Sequence, residues 1–407
     1  MKKILVNAYA VSPGKGSEPG MGWNWCVHMA LSHDLFIITE GEFRDKIEAV
    51  LHTLPQGKNL HFYFLPVSDR VRKMCWNQGD WRFYWHYRKW QKRALALARE
   101  ICQRESIEII HQLNMVGFRE PGLLWKIPGI RYVWGPIGGM SQNPIAFFRG
   151  DPGVGLLKMR IKNMLNFLQM NLSPRVYRAV ARASTVLCAT EDERNVLRRR
   201  YPDKLLVVIP ETGIERNELI PRTPLADGRF HVLWVGRFIP GKKLDLALRV
   251  MARLPQPDIV LEVLGSGREE ENDAYRVLAE QLGITDRVFW HGDVPHAEVI
   301  RWMCSCDLFF FTSVHEVTST VIMEAISARL PIVCFDICGF GPLVDDRIGR
   351  KVPCINPEQA EKDFASTISH LYANPDELAS MSTGGMDHLR RLTWDYKMEQ
   401  LTNIYEL

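Results

Sequence analysis

The stretch His231-Val232-Leu233-Trp234-Val235-Gly236-Arg237-Phe238-Ile239-Pro240-Gly241-Lys242-Lys243 opens as an apolar strand, breaks at a glycine and turns with cations at hand. Leu244 to Leu254 then repeats apolar residues at helical spacing, and Ile259–Leu264 is again a nearly continuous apolar run. A strand buried on both faces, a crossover helix and a second such strand make the unit of a parallel sheet covered by helices. The alternation continues with strands at Val288–Trp290, Asp307–Phe311 and Ile332–Phe335. Helices are expected at Asn272–Leu282, His296–Cys304 and Val321–Leu330, the last stopped by Pro331. These residues predict a doubly wound α/β domain.

Toward the N-terminus the pattern recurs. Ile4–Tyr9 reads as a buried strand, Ser12–Gly22 as a glycine-rich loop, Trp23–Leu31 as a helix and Leu35–Thr39 as the next strand. Apolar runs at Phe62–Leu65, Ile107–Ile110, Arg131–Trp134 and Thr185–Cys188 extend it. Between the halves, Glu211–Gly228 has the polar, Pro-containing composition of a linker. Two Rossmann-like doubly wound domains are therefore expected to face a central cleft, since ligands of such sheets bind outside the carboxyl ends of the strands. The final helical stretch, Asp376–Leu407, is expected to cross back to the first domain.

A chain of 407 residues has room for two domains and excludes a peptide-sized module. Its 46% hydrophobic and 24% charged residues exclude a disordered chain. No apolar run reaches the ~18–20 residues of a membrane span, and the first apolar run is too short for a signal peptide. Nine scattered cysteines without paired CxxC spacing read as reduced thiols in a cytosol. Charge divides the chain unevenly: residues 1–200 hold 30 Lys and Arg against 16 Asp and Glu, a balance of +14. Residues 201–407 hold 21 against 31, a balance of −10. A basic first half attracts phosphates, nucleic acid or an anionic membrane.

Arg237, Lys242 and Lys243 stand beside a helix start, which suits a diphosphate and suits an ordinary solvated turn equally. The loop TSVHEVTST and the helix VIMEAISARL place Glu316 at a strand's carboxyl end and Glu324 eight residues on. Thr318, Ser319 and Thr320 are expected to cap that helix. Glu324, between Met323 and Ala325, needs a partner, either two ribose hydroxyls or a core Arg or Lys. No DxD stands at a strand end, so no metal site is predicted.

In this order, Val235-Gly236-Arg237-x4-Lys242, LGSGREE, LGITDRVFWHGDVPHAEV, CDLFFFTS, Glu316-x7-Glu324-Ala325 and PIVCFDICGFGPLVDD resemble the donor domain of the retaining GT-B glycosyltransferases of family 4. The resemblance covers about residues 231–356. The first half is similar more weakly, through GSEPGMG, the strand-end His111 and VIPETGIE. The resemblance implies an acceptor-binding domain over 1–215, a nucleotide-sugar-binding domain over 222–388 and a returning helix over 389–407. It implies that Arg237 and Lys242 hold the nucleotide diphosphate, Glu324 the ribose and Glu316 the donor sugar. Backbone at Val294 would read the base. Gly236 and Gly265 join the donor-binding set, with Gly20 and Gly22 approaching from the other domain. Val317-Thr318-Ser319-Thr320 replaces the family's Gly-Phe-Gly-Leu, which puts donor identity in doubt. Trp134-Gly135-Pro136-Ile137 replaces a Thr-x-His-Gly, which leaves His111 as either the catalytic histidine or a buried one.

Transfer from a nucleotide sugar develops positive charge at the anomeric carbon and negative charge on the leaving diphosphate. Lys242, Arg237 and the helix start before Glu324 can stabilise that charge, so neither metal nor other cofactor is expected. The rivals are a silent scaffold on the same fold, a sugar-nucleotide epimerase and a phosphorylase. Between Arg70 and Arg93, Trp76, Trp81, Trp85 and Trp90 interleave with cations that include Arg88 and Lys89. That pattern fits an aromatic helix packed in the first domain, a bilayer interface with anionic lipid or, least well, single-stranded nucleic acid. The expected partners are a nucleotide sugar, a lipid-linked or saccharide acceptor and an anionic membrane, with no nucleic acid. The expected place is the inner face of the cell membrane, in surface polysaccharide or lipopolysaccharide assembly.

Overall fold

Apolar strands of the kind quoted above build two separate, all-parallel sheets in the computed structural model. It describes residues 1–77, 80–149, 156–215, 220–314, 316 and 319–407, without the side chains of Lys158 and Met386. The first sheet contains β1 (Lys3–Ala8), β2 (Asp34–Thr39), β3 (Leu60–Phe64), β4 (Ile109–Asn114), β5 (Arg131–Ile137), β6 (Thr185–Cys188) and β7 (Leu205–Val208). Their order is β3-β2-β1-β4-β5-β6-β7. The second contains β8 (Phe230–Val235), β9 (Ile259–Leu264), β10 (Val288–Gly292), β11 (Leu308–Phe311), β12 (Ile332–Phe335) and β13 (Gly349–Val352), in the order β10-β9-β8-β11-β12-β13.

Both orders reverse direction beside their first strand, at β1/β4 and at β8/β11. A crevice opens at such a switch point, outside the carboxyl ends of the two strands. Central strands such as β1 and β9 are buried nearly throughout, as their continuous apolar runs require.

β7 and β13 are the strands that periodicity misses. Both lie at sheet edges with one neighbour each; Arg350 and Lys351 break the pattern of β13, and β7 is a short apolar run, Leu205–Val208, just ahead of the Pro-containing stretch. The stretch expected as a loop through Gly22 is helical from Ser17 to Met29. Pro19 is tolerated there because it sits in the first turn. The final helical stretch is three helices, Pro375–Met381, Met386–Leu392 and Trp394–Glu406.

The chain divides into two compact units whose limits differ from the expected 1–215, 222–388 and 389–407. Unit 1 comprises Met1–Ser141, Asn166–Thr212 and Lys397–Leu407; unit 2 comprises Gln142–Leu165 and Gly213–Tyr396. Gln142–Leu165 groups with unit 2 because Phe147 and Phe148 are buried in its core, Phe147 edge-on to Phe335 at 5.3 Å. Of the last stretch, residues up to Tyr396 stay with unit 2, and Lys397–Leu407, with the buried Tyr405, belong to unit 1.

Candidate active site

At the switch point of unit 2, β8 delivers Gly236 and Arg237, and β11 delivers Thr312 and Ser313. Gly265, just past β9, has φ +125°, and a Cβ on it would stand 2.0 Å from the Gly236 carbonyl oxygen. Only glycine fits there. Gly236 N–H donates to Leu264 O at 3.0 Å, and Phe238 N–H to Ser266 O at 3.0 Å.

Thr312 ties the two strand ends together. Its hydroxyl accepts from Trp234 Nε1 at 2.9 Å and donates to the Lys242 carbonyl at 2.8 Å. Val314 N–H adds a bond to Gly241 O at 2.9 Å. Lys242 is thereby fixed over the crevice: its ammonium pairs with the Glu316 carboxylate and lies 5.1 Å over the Phe311 ring. Ser313 Oγ holds Glu316 from the other side at 2.7 Å. Arg237 is exposed and makes no ion pair with a described residue. Lys243 faces the other way. It is buried, in the left-handed conformation (φ +54°), paired with Asp245 at 3.0 Å and set over the Phe148 ring.

Glu324 lies on the helix Thr320–Ser327 and accepts from His296 Nε2 at 3.0 Å, so the partner is neither a core Arg nor a core Lys. His296 is the residue that sequence reasoning missed; it sits in HGDVPHAEV, 28 positions away, with no local signal. Ser319 occupies the cap position, but its hydroxyl makes no capping bond, and Thr320 is exposed. The first-turn N–H groups therefore have no side-chain acceptor from Ser319, the condition for anion binding at a helix start. Thr318 falls outside the described residues. Val294 is half-buried against the core of unit 2, beside Asp293, which accepts from Ser266 Oγ at 2.5 Å.

Three expected site residues of unit 1 are accounted for by its own interior. His111 is fully buried; Nδ1 meets Tyr405 Oη at 2.5 Å and Nε2 meets Gly135 O at 2.6 Å. With both ring nitrogens engaged it is a core histidine, and burial lowers it to about 4, so it stays neutral. A Cβ on Gly20 would meet Lys15 O at 1.9 Å and one on Gly22 would meet Ala10 O at 2.4 Å. The close approach that needs glycine is thus between the helix Ser17–Met29 and its own preceding loop.

The aromatic stretch separates by helix face. Phe83, Tyr87 and Trp90 are buried around Tyr9, whereas Trp76, Trp81 and Trp85 remain 51%, 76% and 55% exposed. Lys89 lies 3.5 Å over the Trp85 ring, and Arg88 pairs with Glu120 at 2.6 Å.

Residues 215–387 match the model of the family glycosyl transferases group 1. The matched residues all lie within unit 2. Among curated relatives, a D-inositol 3-phosphate glycosyltransferase of Stackebrandtia nassauensis is 30% identical over 249 residues, covering 56% of this chain and 54% of that protein. The chain thus spans about half the length of the curated relatives it matches. Over the whole chain the fold is that of GT-B glycosyltransferases. Anabaena HepE in complex with UDP aligns over 100% of both chains with a TM-score of 0.65 and 15% identity. The lipopolysaccharide outer core galactosyltransferase WaaB aligns over 99% of this chain and 98% of its own, with a TM-score of 0.65 and 13% identity. Arg237, Lys242, Glu316 and Glu324 all lie within the matched residues.

Proposed function

We propose that the protein is a retaining glycosyltransferase that moves a sugar from a nucleotide-diphosphate sugar to a saccharide acceptor, lipid-linked, in surface polysaccharide or lipopolysaccharide assembly. The observation that carries the reading is Lys242, locked at the β8/β11 crevice beside the exposed Arg237 and the helix start at Thr320. Two cations and free N–H groups offset the charge that builds on a departing diphosphate; losing one such donor costs about 10²–10³ in rate. Those cations take the place of a metal, so none is assigned. Glu324 takes the ribose hydroxyls, exchanging its His296 bond for theirs. Gly236, Gly265 and the backbone at Val294 line the nucleotide's path.

Glu316 is held between Lys242 and Ser313. A carboxylate so engaged orients sugar hydroxyls and stabilises the oxocarbenium-like centre, while a diphosphate oxygen takes the acceptor's proton on the same face. A trapped glycosyl-Glu316 adduct in mass spectrometry would replace this with double displacement. The curated relative is named for a phosphorylated inositol and WaaB for the lipopolysaccharide outer core; only a saccharide acceptor is carried to this chain.

The membrane part of the proposal rests on the helix Leu156–Leu172. Leu157, Ile161, Met164, Leu165, Leu168 and Leu172 form an exposed apolar stripe at helical spacing, and Arg160 is exposed beside it. Such a helix lies in a bilayer interface, with cations on anionic headgroups. No helix among the described residues is long and apolar enough to cross a membrane.

Nucleotide release from UDP-, GDP- and ADP-sugars, with thermal shift against each, tests the transferase. One donor is expected to raise the melting midpoint and to be slowly hydrolysed, in EDTA as well as without it. Binding without release would favour a silent scaffold. Neither binding nor release would end the proposal.

A further inference from the structure

The β1/β4 switch point of unit 1 holds a cavity of about 270 Å³. It lies where Tyr9–Val11 leave β1, Thr39–Phe43 leave β2 and Met115 leaves β4, under the helix Asp69–Trp76. That size is at the small end for ligand pockets and suits one ring rather than a nucleotide sugar.

Its lining is acidic although its half of the chain is basic. Glu40 is buried and satisfied: it accepts from Arg72 at 3.0 Å and from the N–H groups of Val67 and Glu42, each at 2.9 Å. Arg72 is therefore already committed, with Asp69 as a second partner at 3.2 Å. Glu18 accepts a single bond, from Val116 N–H at 2.6 Å, and its other oxygen has no partner among the described residues. Burial raises this carboxyl above its ordinary range, and the Val116 bond offsets that only in part. Glu42 is exposed and turned to the Trp76 indole N–H at 2.9 Å, and Trp76 stands edge-on to Phe43 at 6.1 Å.

The second observation is Tyr9. It is 4% exposed and lines the cavity, yet its hydroxyl makes no hydrogen bond to a described residue. Tyr9 lines the cavity, so a ligand or water there can supply a partner for its hydroxyl. Acceptor oxygens, a waiting hydroxyl and an aromatic wall are what a polyhydroxylated ring needs, since its O–H groups donate and its C–H faces are apolar. A phosphate brings oxygens that accept and a charge of the same sign as the lining. Lys15, 6.0 Å over Phe43, is the cation a charged ligand would have to use instead.

We propose that this pocket binds an uncharged saccharide or polyol ring, and that Glu18 makes it discriminate against phosphorylated forms of the same ring. Its role as the acceptor site rests on the transferase reading above; its ligand chemistry does not.

Binding of methyl glucoside and myo-inositol is compared with that of glucose 6-phosphate and inositol 1-phosphate, by calorimetry and by the fluorescence lost in Trp76→Phe. A neutral ring is expected to bind at least about tenfold more tightly than its phosphorylated partner. Glu18→Gln keeps the Val116 bond and removes the charge, so it should narrow that ratio, while Tyr9→Phe should weaken both. Equal or tighter binding of the phosphorylated ring, binding by none of the four, or a ratio unmoved by Glu18→Gln would each overturn the proposal. Nucleotide-sugar binding measured on the same samples separates the two readings. Neutral rings without donor sink the transferase alone, and donor without neutral rings sinks the pocket alone.

Discussion

The crevices at β1/β4 and β8/β11 are built on the same plan and carry opposite chemistry. The first, in a stretch of chain whose balance is +14, is lined by Glu18, Glu40 and Glu42. The second, in a stretch whose balance is −10, presents Arg237 and Lys242 beside a helix start. Net charge by halves therefore describes the outer surfaces, which govern encounter and solubility. What each crevice binds is decided by a handful of residues where the strands end.

The largest way to test the contrast is to remove its cationic side. Lys242→Ala should lower donor turnover by about 10²–10³, read as nucleotide release, and leave neutral-ring binding in unit 1 unchanged; a loss of both would mean the crevices are not independent. Next comes backbone crowding. Gly265→Ala forces a Cβ against Gly236 O and should cost about 2–4 kcal/mol in denaturant unfolding. Gly22→Ala, with Ala10 O at 2.4 Å, should cost about 1–3 kcal/mol. If Gly22→Ala leaves stability intact but weakens donor binding, the glycine serves the ligand after all.

His111 sharpens the comparison through pH. Its folded form is held to about 4, whereas the unfolded chain takes up the proton near 6.5. The unfolded state thus binds more protons between those values, so the contribution is complete above about 6.5 and is lost as pH falls toward about 4. His111→Asn should flatten that slope in urea titrations without shifting the pH profile of turnover; a shifted profile would return the residue to the catalytic set. The smallest effect expected is from salt. Raising NaCl from about 0.05 to about 0.5 M should weaken donor binding several-fold and spare neutral-ring binding.

The second sheet was legible because its buried strands are nearly continuous apolar runs, and Ile259–Leu264 and Ile332–Phe335 match residue for residue. β13 was not, because Arg350 and Lys351 interrupt it, and β7 was not, because its four apolar residues are too short a run beside the Pro-containing stretch. Arg237, Lys242, Glu316 and Glu324 were singled out by the family resemblance along one stretch of chain. His296 and the Tyr9 and Glu18 pocket could not, since they assemble from residues whose neighbours in space are far apart in the chain. His111 stayed open between two readings because a strand-end histidine looks the same whether its nitrogens face a ligand or, as here, Tyr405 and Gly135.

Unit 1 takes Tyr405 into its core, and unit 2 takes Phe147 and Phe148. During translation, therefore, the unit whose strands emerge first must wait for residues made after the whole of unit 2, holding His111 and its surroundings incomplete. A nascent chain cut at the boundary near residue 215 would leave a gap where Tyr405 belongs. It would also leave two phenylalanines with nothing to cover them.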